Sequence, residues 1–186
     1  MNRRHRRNFN EPGHAHELTF SCYGRHPFLK SARVCQWLAD AIDAARTKHR
    51  FNLWAFVFMP DHAHLIVCPK DSQYDIAAIR KGIKASVGAK GIAHIQKNSP
   101  DWLPRITRQR GGKSERLFWQ SGGGYDRNIT EPATLLKMIG YLHLNPVRKG
   151  FVEHVRDWEW SSAAEYEGLS KSKSLGIDPI PSDWSG

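Results

Sequence analysis

The residues best placed by type and spacing to do chemistry are His62 and His64, in Phe56-Val57-Phe58-Met59-Pro60-Asp61-His62-Ala63-His64-Leu65-Ile66-Val67-Cys68-Pro69. Neutral imidazole is the commonest nitrogen ligand for metals, and two on one face can converge on a single ion. Whether they share a face depends on the backbone beneath them. Residues 52–58 and 62–68 are short aromatic and β-branched runs, and Pro60-Asp61 supplies a turn, so the segment reads as strand, tight connection, strand, closed by Pro69. Side chains two apart on a strand point the same way. His62, His64 and Ile66 therefore occupy one face, and Ala63, Leu65 and Val67 the other. The bland alternative is two histidines on a solvated strand; a metal site is carried forward because paired titratable groups favour sites.

A second pair lies near the C-terminal end. Thr130-Glu131-Pro132 supplies a capping hydroxyl, an acid at the positive end of the helix dipole and a proline for the first turn. In the helix that follows, Leu135, Ile139 and Leu142 face the core, while Thr134, Met138, Tyr141 and Asn145 form a neighbouring stripe. Pro146 disfavours helix at Asn145, so the helix stops or kinks there. A phenol and a carboxamide are left side by side at its end. Tyr125, beside Arg127 in the loop Ser121-Gly122-Gly123-Gly124-Tyr125-Asp126-Arg127-Asn128, is the rival phenol, ranked lower because nothing at helical spacing from it can ligate a metal. His143 falls on roughly the opposite side of the helix from Tyr141 and reads as a core or surface histidine. His14-Ala15-His16, at the start of the first strand, is the weaker metal candidate and reads as structural.

These groups need a scaffold. At 186 residues the chain is one domain with a core large enough to fold unaided. Its boundaries are expected at 1–13 for a flexible basic arm, 14–166 for the main domain and 167–186 for a poorly ordered tail rich in Ser, Lys, Gly and Pro. Lys and Arg number 28 against 18 Asp and Glu, a net charge of +10 that suits a polyanionic partner. No run of about 18 apolar residues is present to span a membrane, and the N-terminus lacks the apolar stretch of a secretory signal. Cys22, Cys35 and Cys68 are odd in number and widely spaced, so neither a disulfide framework nor a zinc ribbon is indicated. A cytoplasmic setting, close to the nucleoid, is expected.

Alternation of Leu18, Phe20 and Cys22 predicts a strand over 15–23, and Ser31 caps a helix in which Val34, Trp37, Leu38, Ala41, Ile42 and Ala45 recur to near Lys48. After the hairpin, 75–90 is a basic amphipathic helix, with Arg80, Lys81, Lys84 and Lys90 opposite Ile76, Ile79, Ile83 and Val87. Residues 92–115 are expected to be irregular. The loop around Gly111-Gly112 carries Arg105, Arg108, Arg110 and Lys113, suited to phosphate contacts, as are Arg3, Arg4, Arg6, Arg7 and Arg127. Leu117-Phe118-Trp119-Gln120 is the candidate fourth strand, and the three glycines after it permit a close backbone approach. The tryptophans of Asp157-Trp158-Glu159-Trp160 are expected to pack as a lid on the core. The element order gives an α+β, ferredoxin-like (split βαβ) antiparallel sheet with helices on one face and the other face free.

Three blocks in order, Met59 to Val67, Phe118-Trp119-Gln120 with Gly122 to Asn128, and Tyr141-Leu142-His143-Leu144-Asn145-Pro146-Val147-Arg148-Lys149-Gly150, resemble the REP-associated tyrosine transposases, within the larger group of HUH single-strand transposases. The resemblance runs from about His14 to Tyr166. It implies cleavage and rejoining of single-stranded DNA at or near repetitive extragenic palindromes, which fold into hairpins. It also implies Tyr141 as nucleophile on a late helix, and His62, His64 and Asn145 as metal ligands. Ala63 is smaller than the residue usual between the two histidines, but it faces the core. An ion held by two imidazoles and an amide oxygen keeps its charge and open positions, which suits Mg²⁺ or Mn²⁺, imidazole leaning towards Mn²⁺.

The expected activity is thus a metal-dependent single-stranded DNA endonuclease and transesterase working through a covalent 5′-phosphotyrosine. Family relatives imply a monomer with the helix docked in cis, a pair exchanging helices being the alternative. Two rival readings are a domesticated, non-catalytic module binding hairpin DNA or RNA, and an unrelated hydrolase of small phosphates. The intact Tyr141, His62, His64 and Asn145 tell against the first, and the positive charge without clustered carboxylates against the second.

Overall fold

A computed structural model of the chain describes residues 10–169 and 175–184. Arg3, Arg4, Arg6 and Arg7 lie outside the described residues. The first strand, β1 (Ala15–Ser21), leads through short 3₁₀ turns to helix α1 (Ala32–His49), then to β2 (Phe51–Met59) and β3 (His62–Pro69), joined at Pro60-Asp61. Helix α2 (Ile76–Asn98) follows; Asp75 caps it, its carboxylate accepting from the amides of Ala77 and Ala78.

The main sheet is antiparallel with strand order β2-β3-β1-β6, where β6 spans Tyr125–Ile129. This is the ferredoxin-like order, and the expected fold class holds. The fourth strand, however, is β6 and not 117–120. Phe118 and Trp119 are buried by packing on α2, where Gly91 and Gly88 leave room for their rings. Only one bridge, Cys22 to Trp119, ties that segment to the sheet. The basic stretch expected to be irregular contains a hairpin, β4 (Thr107–Arg110) and β5 (Lys113–Arg116). Gly111 and Gly112 turn it, with φ of +54° and +77°. Two successive positive φ values define the turn whose twist matches its strands, and glycine adopts them without strain.

Alternation divides the sheet into two faces. Leu18, Phe20, Phe56, Phe58, Ala63, Leu65 and Val67 join α1 and α2 in the larger core. On the opposite face Ala15, Val57, Met59, Ile66 and Ile129 pack against Leu135, Ile139 and Leu142 of α3 (Pro132–His143). That face is therefore not free throughout, as the sequence suggested; α3 docks on its own chain's sheet. Burying those three side chains is worth about 1.5–3 kcal/mol each, enough to hold the helix in one orientation. Ser31 stands at the start of α1 without a side-chain cap bond, and α3 begins from Glu131, not Thr130. The break near Asn145 is present: Leu144 separates α3 from the short helix α4 (Asn145–Arg148).

Residues 158–162 run along the outer edge of β2, where Phe58 N–H donates to Trp160 O (2.8 Å) and the Trp158 indole donates to Phe58 O (2.9 Å). The tryptophans close a sheet edge as well as covering core. They lead into α5 (Ala163–Tyr166), whose Tyr166 hydroxyl donates to Trp54 O. Residues 175–184, expected within a poorly ordered tail, dock instead. The Asp178 carboxylate accepts from Leu53 N–H at 2.8 Å and pairs with Arg46 at 3.3 Å, Leu175 is buried, and Trp184 meets Trp54. One carboxylate satisfying a strand amide and an arginine fixes a segment whose composition carries no periodic signal.

Candidate functional site

The strand phase read for residues 62–68 places His62 and His64 on the face away from α1 and α2, with imidazole centroids 4.9 Å apart. Each ring has its Nδ1 engaged. His62 Nδ1 lies 2.6 Å from Asp61 Oδ1, and His64 Nδ1 lies 2.8 Å from Thr19 Oγ1, its cross-strand partner. Arg25 pairs with the second oxygen of Asp61 at 3.3 Å. With Nδ1 donating to oxygen, the lone pair of each Nε2 is left for an electrophile. Burial pushes the His62 pKa down, partly offset by the hydrogen bond and charge of Asp61, while Arg25 and Lys149 lower it further. Burial and then the charge of His62 bring His64 to about 4. At neutral pH His64 is neutral, the form that ligates.

Tyr141 meets His64 in a cleft of about 560 Å³ lined by Glu17, Thr19, His64, Tyr125, Arg127, Lys137, Met138 and Tyr141. The helix stripe and the strand face, 77 positions apart in the chain, thus open onto the same space. Tyr141 is half exposed, and the Arg148 guanidinium lies over its ring, 4.7 Å from the centroid. Asn145 is not among the cleft-lining residues. Its Nδ2 donates to the carbonyls of Tyr141 (3.2 Å) and Leu142 (3.0 Å) at the end of α3. Lys149, one residue beyond α4, adds a positive charge that helps depress the His62 pKa.

Tyr125, the rival phenol, lines the same cleft. Among the described residues of the expected phosphate-binding set, only Arg127 does. Arg105 lies over Trp102 at 4.9 Å, Arg108 pairs with Glu115 at 2.6 Å, and Arg110 and Lys113 are exposed on the β4–β5 hairpin. Four cleft or near-cleft residues escaped the sequence reading: Glu17, Thr19, Lys137 and Arg148. Glu17 and Thr19 alternate with Leu18 on β1, and Lys137 stands four before Tyr141, so strand and helix phase were the available signals. Burial raises the Glu17 pKa, partly offset by the positive charge of Arg127, and its Oε1 is 3.9 Å from His64 Nδ1.

The other His-x-His is differently placed. His16 is fully buried under α2, its Nδ1 2.8 Å from Asp126 Oδ1 and its Nε2 2.8 Å from the Tyr74 hydroxyl, which donates to Glu11 O. His14 accepts from Asn128 Nδ2. His143 shares a 2.8 Å hydrogen bond with Ser162 Oγ, and burial brings it to about 4. Among the described residues no three His, Cys, Asp or Glu side chains gather where a metal could be held by them alone. A divalent ion fits the His62–His64 pair as far as two neutral imidazoles with anchored Nδ1 atoms go; further ligands would be an amide oxygen, water or the substrate. Among the described residues no helix is long and apolar enough to cross a membrane.

A ferredoxin-like sheet with paired imidazoles on one strand, one of them sharing a cleft with a tyrosine on a late helix, resembles the HUH single-strand transposases. Within them, the particular likeness is to the REP-associated tyrosine transposases, and it extends over most of the chain. A protein of Haemophilus influenzae named as one is 26% identical over 170 residues, covering 83% of this chain and 82% of its own. The REP-associated tyrosine transposase of Escherichia coli K12 is 26% identical over 152 residues, covering 81% of this chain and 73% of its own. The solved structure of a REP-associated tyrosine transposase bound to a REP hairpin superposes with a TM-score of 0.68 at 20% identity, covering 96% of this chain and 94% of that one, and supports the fold. No family model matches the chain.

Proposed function

We propose that this chain is a REP-associated tyrosine transposase that cuts and rejoins single-stranded DNA at hairpin-forming palindromes, with Tyr141 as nucleophile. The observation that carries the proposal is the shared cleft: Tyr141 and His64 line it together within one chain. In the step envisaged, the Tyr141 hydroxyl oxygen attacks the scissile phosphorus. A bond forms between that oxygen and phosphorus, the bond from phosphorus to the 3′ oxygen breaks, the phenol proton is lost and the 3′ oxygen leaves as a hydroxyl. The phosphotyrosine conserves the phosphodiester linkage, so a second 3′ hydroxyl can reverse the step without ATP. Arg127, Lys137 and Arg148 supply positive charge where the phosphate must sit. Glu17, raised by burial, is placed to take up a proton. His62 and His64, with the amide oxygen of Asn145, whose Nδ2 is bonded to the end of α3, would hold Mg²⁺ or Mn²⁺. Such an ion supplies Lewis-acid polarisation of the phosphate and stabilises the departing oxygen. The names of the relatives and the hairpin held by the solved neighbour support DNA of this class as substrate.

The test is incubation with end-labelled hairpin DNA and Mg²⁺ or Mn²⁺, followed by denaturation. A covalent adduct is expected that Tyr141→Phe abolishes and Tyr125→Phe retains. The reverse pattern would move the nucleophile to β6. The place of Asn145 outside the cleft lining favours one second reading, a hairpin-binding module that does not cut. Tight binding with no adduct under either metal would establish it.

A further inference from the structure

A second groove, of about 670 Å³, runs between α2 and residues 115–123. The helix face turned towards it is unusual for a solvated surface. Ala77, Lys81, Lys84, Ala85, Gly88 and Ala89 follow one another at helical spacing, so two cations stand above a floor of small side chains. Arg80 lines the same wall. Arg116 faces them from β5, fixed by a 2.8 Å bond to Gln96. The Lys84 ammonium donates to the carbonyls of Gln120 and Gly122, so its charge is held in place, and burial and Arg80 lower its pKa. Glu115, the acid lining the groove, is paired with Arg108.

No exposed aromatic lines this groove: Phe118 and Trp119 are 3% and 6% exposed, their rings turned into the core. The cleft differs, for Tyr125 and Tyr141 are 43% and 51% exposed. Proteins that hold single strands combine positive charge with exposed rings on which unpaired bases stack. A duplex hides its bases and offers only phosphates to a cationic trough. One short stretch of chain serves both spaces: Gly122 and Gly123 line the groove, and Tyr125 and Arg127 line the cleft.

We propose that the α2 groove binds the phosphate backbone of the paired stem of a DNA hairpin, while the cleft takes the unpaired strand. The proposal rests on the DNA-processing reading, but binding without metal tests it separately. Fluorescence anisotropy in EDTA would compare a labelled stem-loop with a single-stranded tail against an unstructured strand of equal length. Charge reversal of Lys81 and Arg116 together, Lys81→Glu with Arg116→Glu, is expected to weaken stem-loop binding by about tenfold or more. It should also make the plot of log affinity against log salt shallower by about 1–2. Affinity for the unstructured strand should change by less than about twofold, having no contact there. Arg33→Glu with Lys48→Glu, both exposed on α1, is the charge-matched control, and Lys81→Ala alone, an exposed change, covers the case in which the double variant does not fold. Unchanged stem-loop affinity and salt slope would overturn the proposal. Equal losses on both DNAs would overturn it too, by making the groove a single-strand path. An adduct assay that fails while these binding differences persist would sink the catalytic reading and leave the stem site standing.

Discussion

His14-Ala15-His16 and His62-Ala63-His64 are the same three residue types, and the fold treats them in opposite ways. His16 falls in the phase of Leu18 and Phe20, beneath α2, and both its nitrogens are committed to Asp126 and Tyr74. His62 and His64 fall on the other face, largely buried, each with one nitrogen engaged, and His64 lines the cleft that holds Tyr141. The motif does not choose between packing and chemistry. The choice lies in which sheet face the strand turns it to, and in whether a neighbour takes one nitrogen or two.

The comparison can be broken experimentally, and the largest effect is expected at the second motif. Replacing both His62 and His64 by alanine should lower Mn²⁺ affinity by more than about 100-fold, since even outer partners of ligands cost about 10–100-fold. Titration calorimetry, or the paramagnetic signal of free Mn²⁺, would report it, with thermal melting little changed. His16→Ala should do the reverse, costing about 3 kcal/mol in urea unfolding because Asp126 and the Tyr74 hydroxyl lose a buried partner. Its Mn²⁺ affinity should match that of the parent; a 100-fold loss there would make the first motif the metal site. Asp61→Ala is expected to weaken Mn²⁺ by about tenfold by freeing the His62 ring, at the low end of the range because the carboxylate is partly exposed.

The smallest effect is a pH dependence measured without metal. His64 and His143 sit at about 4 in the fold against 6.5 for the free side chain. Above about 6.5 both states are neutral and stability is unaffected. As pH falls from 6.5 towards 4 the unfolded chain takes up protons that the fold refuses, so stability declines with falling pH. His143→Gln should reduce that slope by less than half, since His62, also lowered by burial, shares it with His64. A slope that stays unchanged would remove His143 from the account.

Much of this arrangement was legible before any coordinates, where periodicity was strong. The hairpin carrying His62 and His64, the core stripe of Leu135, Ile139 and Leu142, and the break at Asn145 all follow from phase and proline. The errors share a cause, which is tertiary packing overriding local composition. Phe118-Trp119 looks like a strand but is apolar because two glycines of α2 accept its rings. The true edge strand, Tyr125–Ile129, is polar and short and so carries little signal. Arg108-Gln109-Arg110-Gly111-Gly112-Lys113 has a hairpin turn in plain view, masked by its charge. Residues 175–184 are held by Asp178, Leu175 and Trp184, three contacts that no window of composition weighs. Asn145 keeps the helical spacing that set it beside Tyr141, but its Nδ2 is tied to the carbonyls of Tyr141 and Leu142 and it lies off the cleft lining.

Gly124 stands between the glycines that line the groove and the residues of β6 that line the cleft. It lies at φ +78° with its α-carbon against the Thr19 carbonyl, where any β-carbon would collide with backbone. Thr19 is the residue that engages His64, and Tyr125 is its partner across the strands. A single added methyl at this position would act as a wedge, prising the edge strand from its neighbour. Imidazole, phenol and guanidinium would all go out of alignment at once, with no atom of theirs altered.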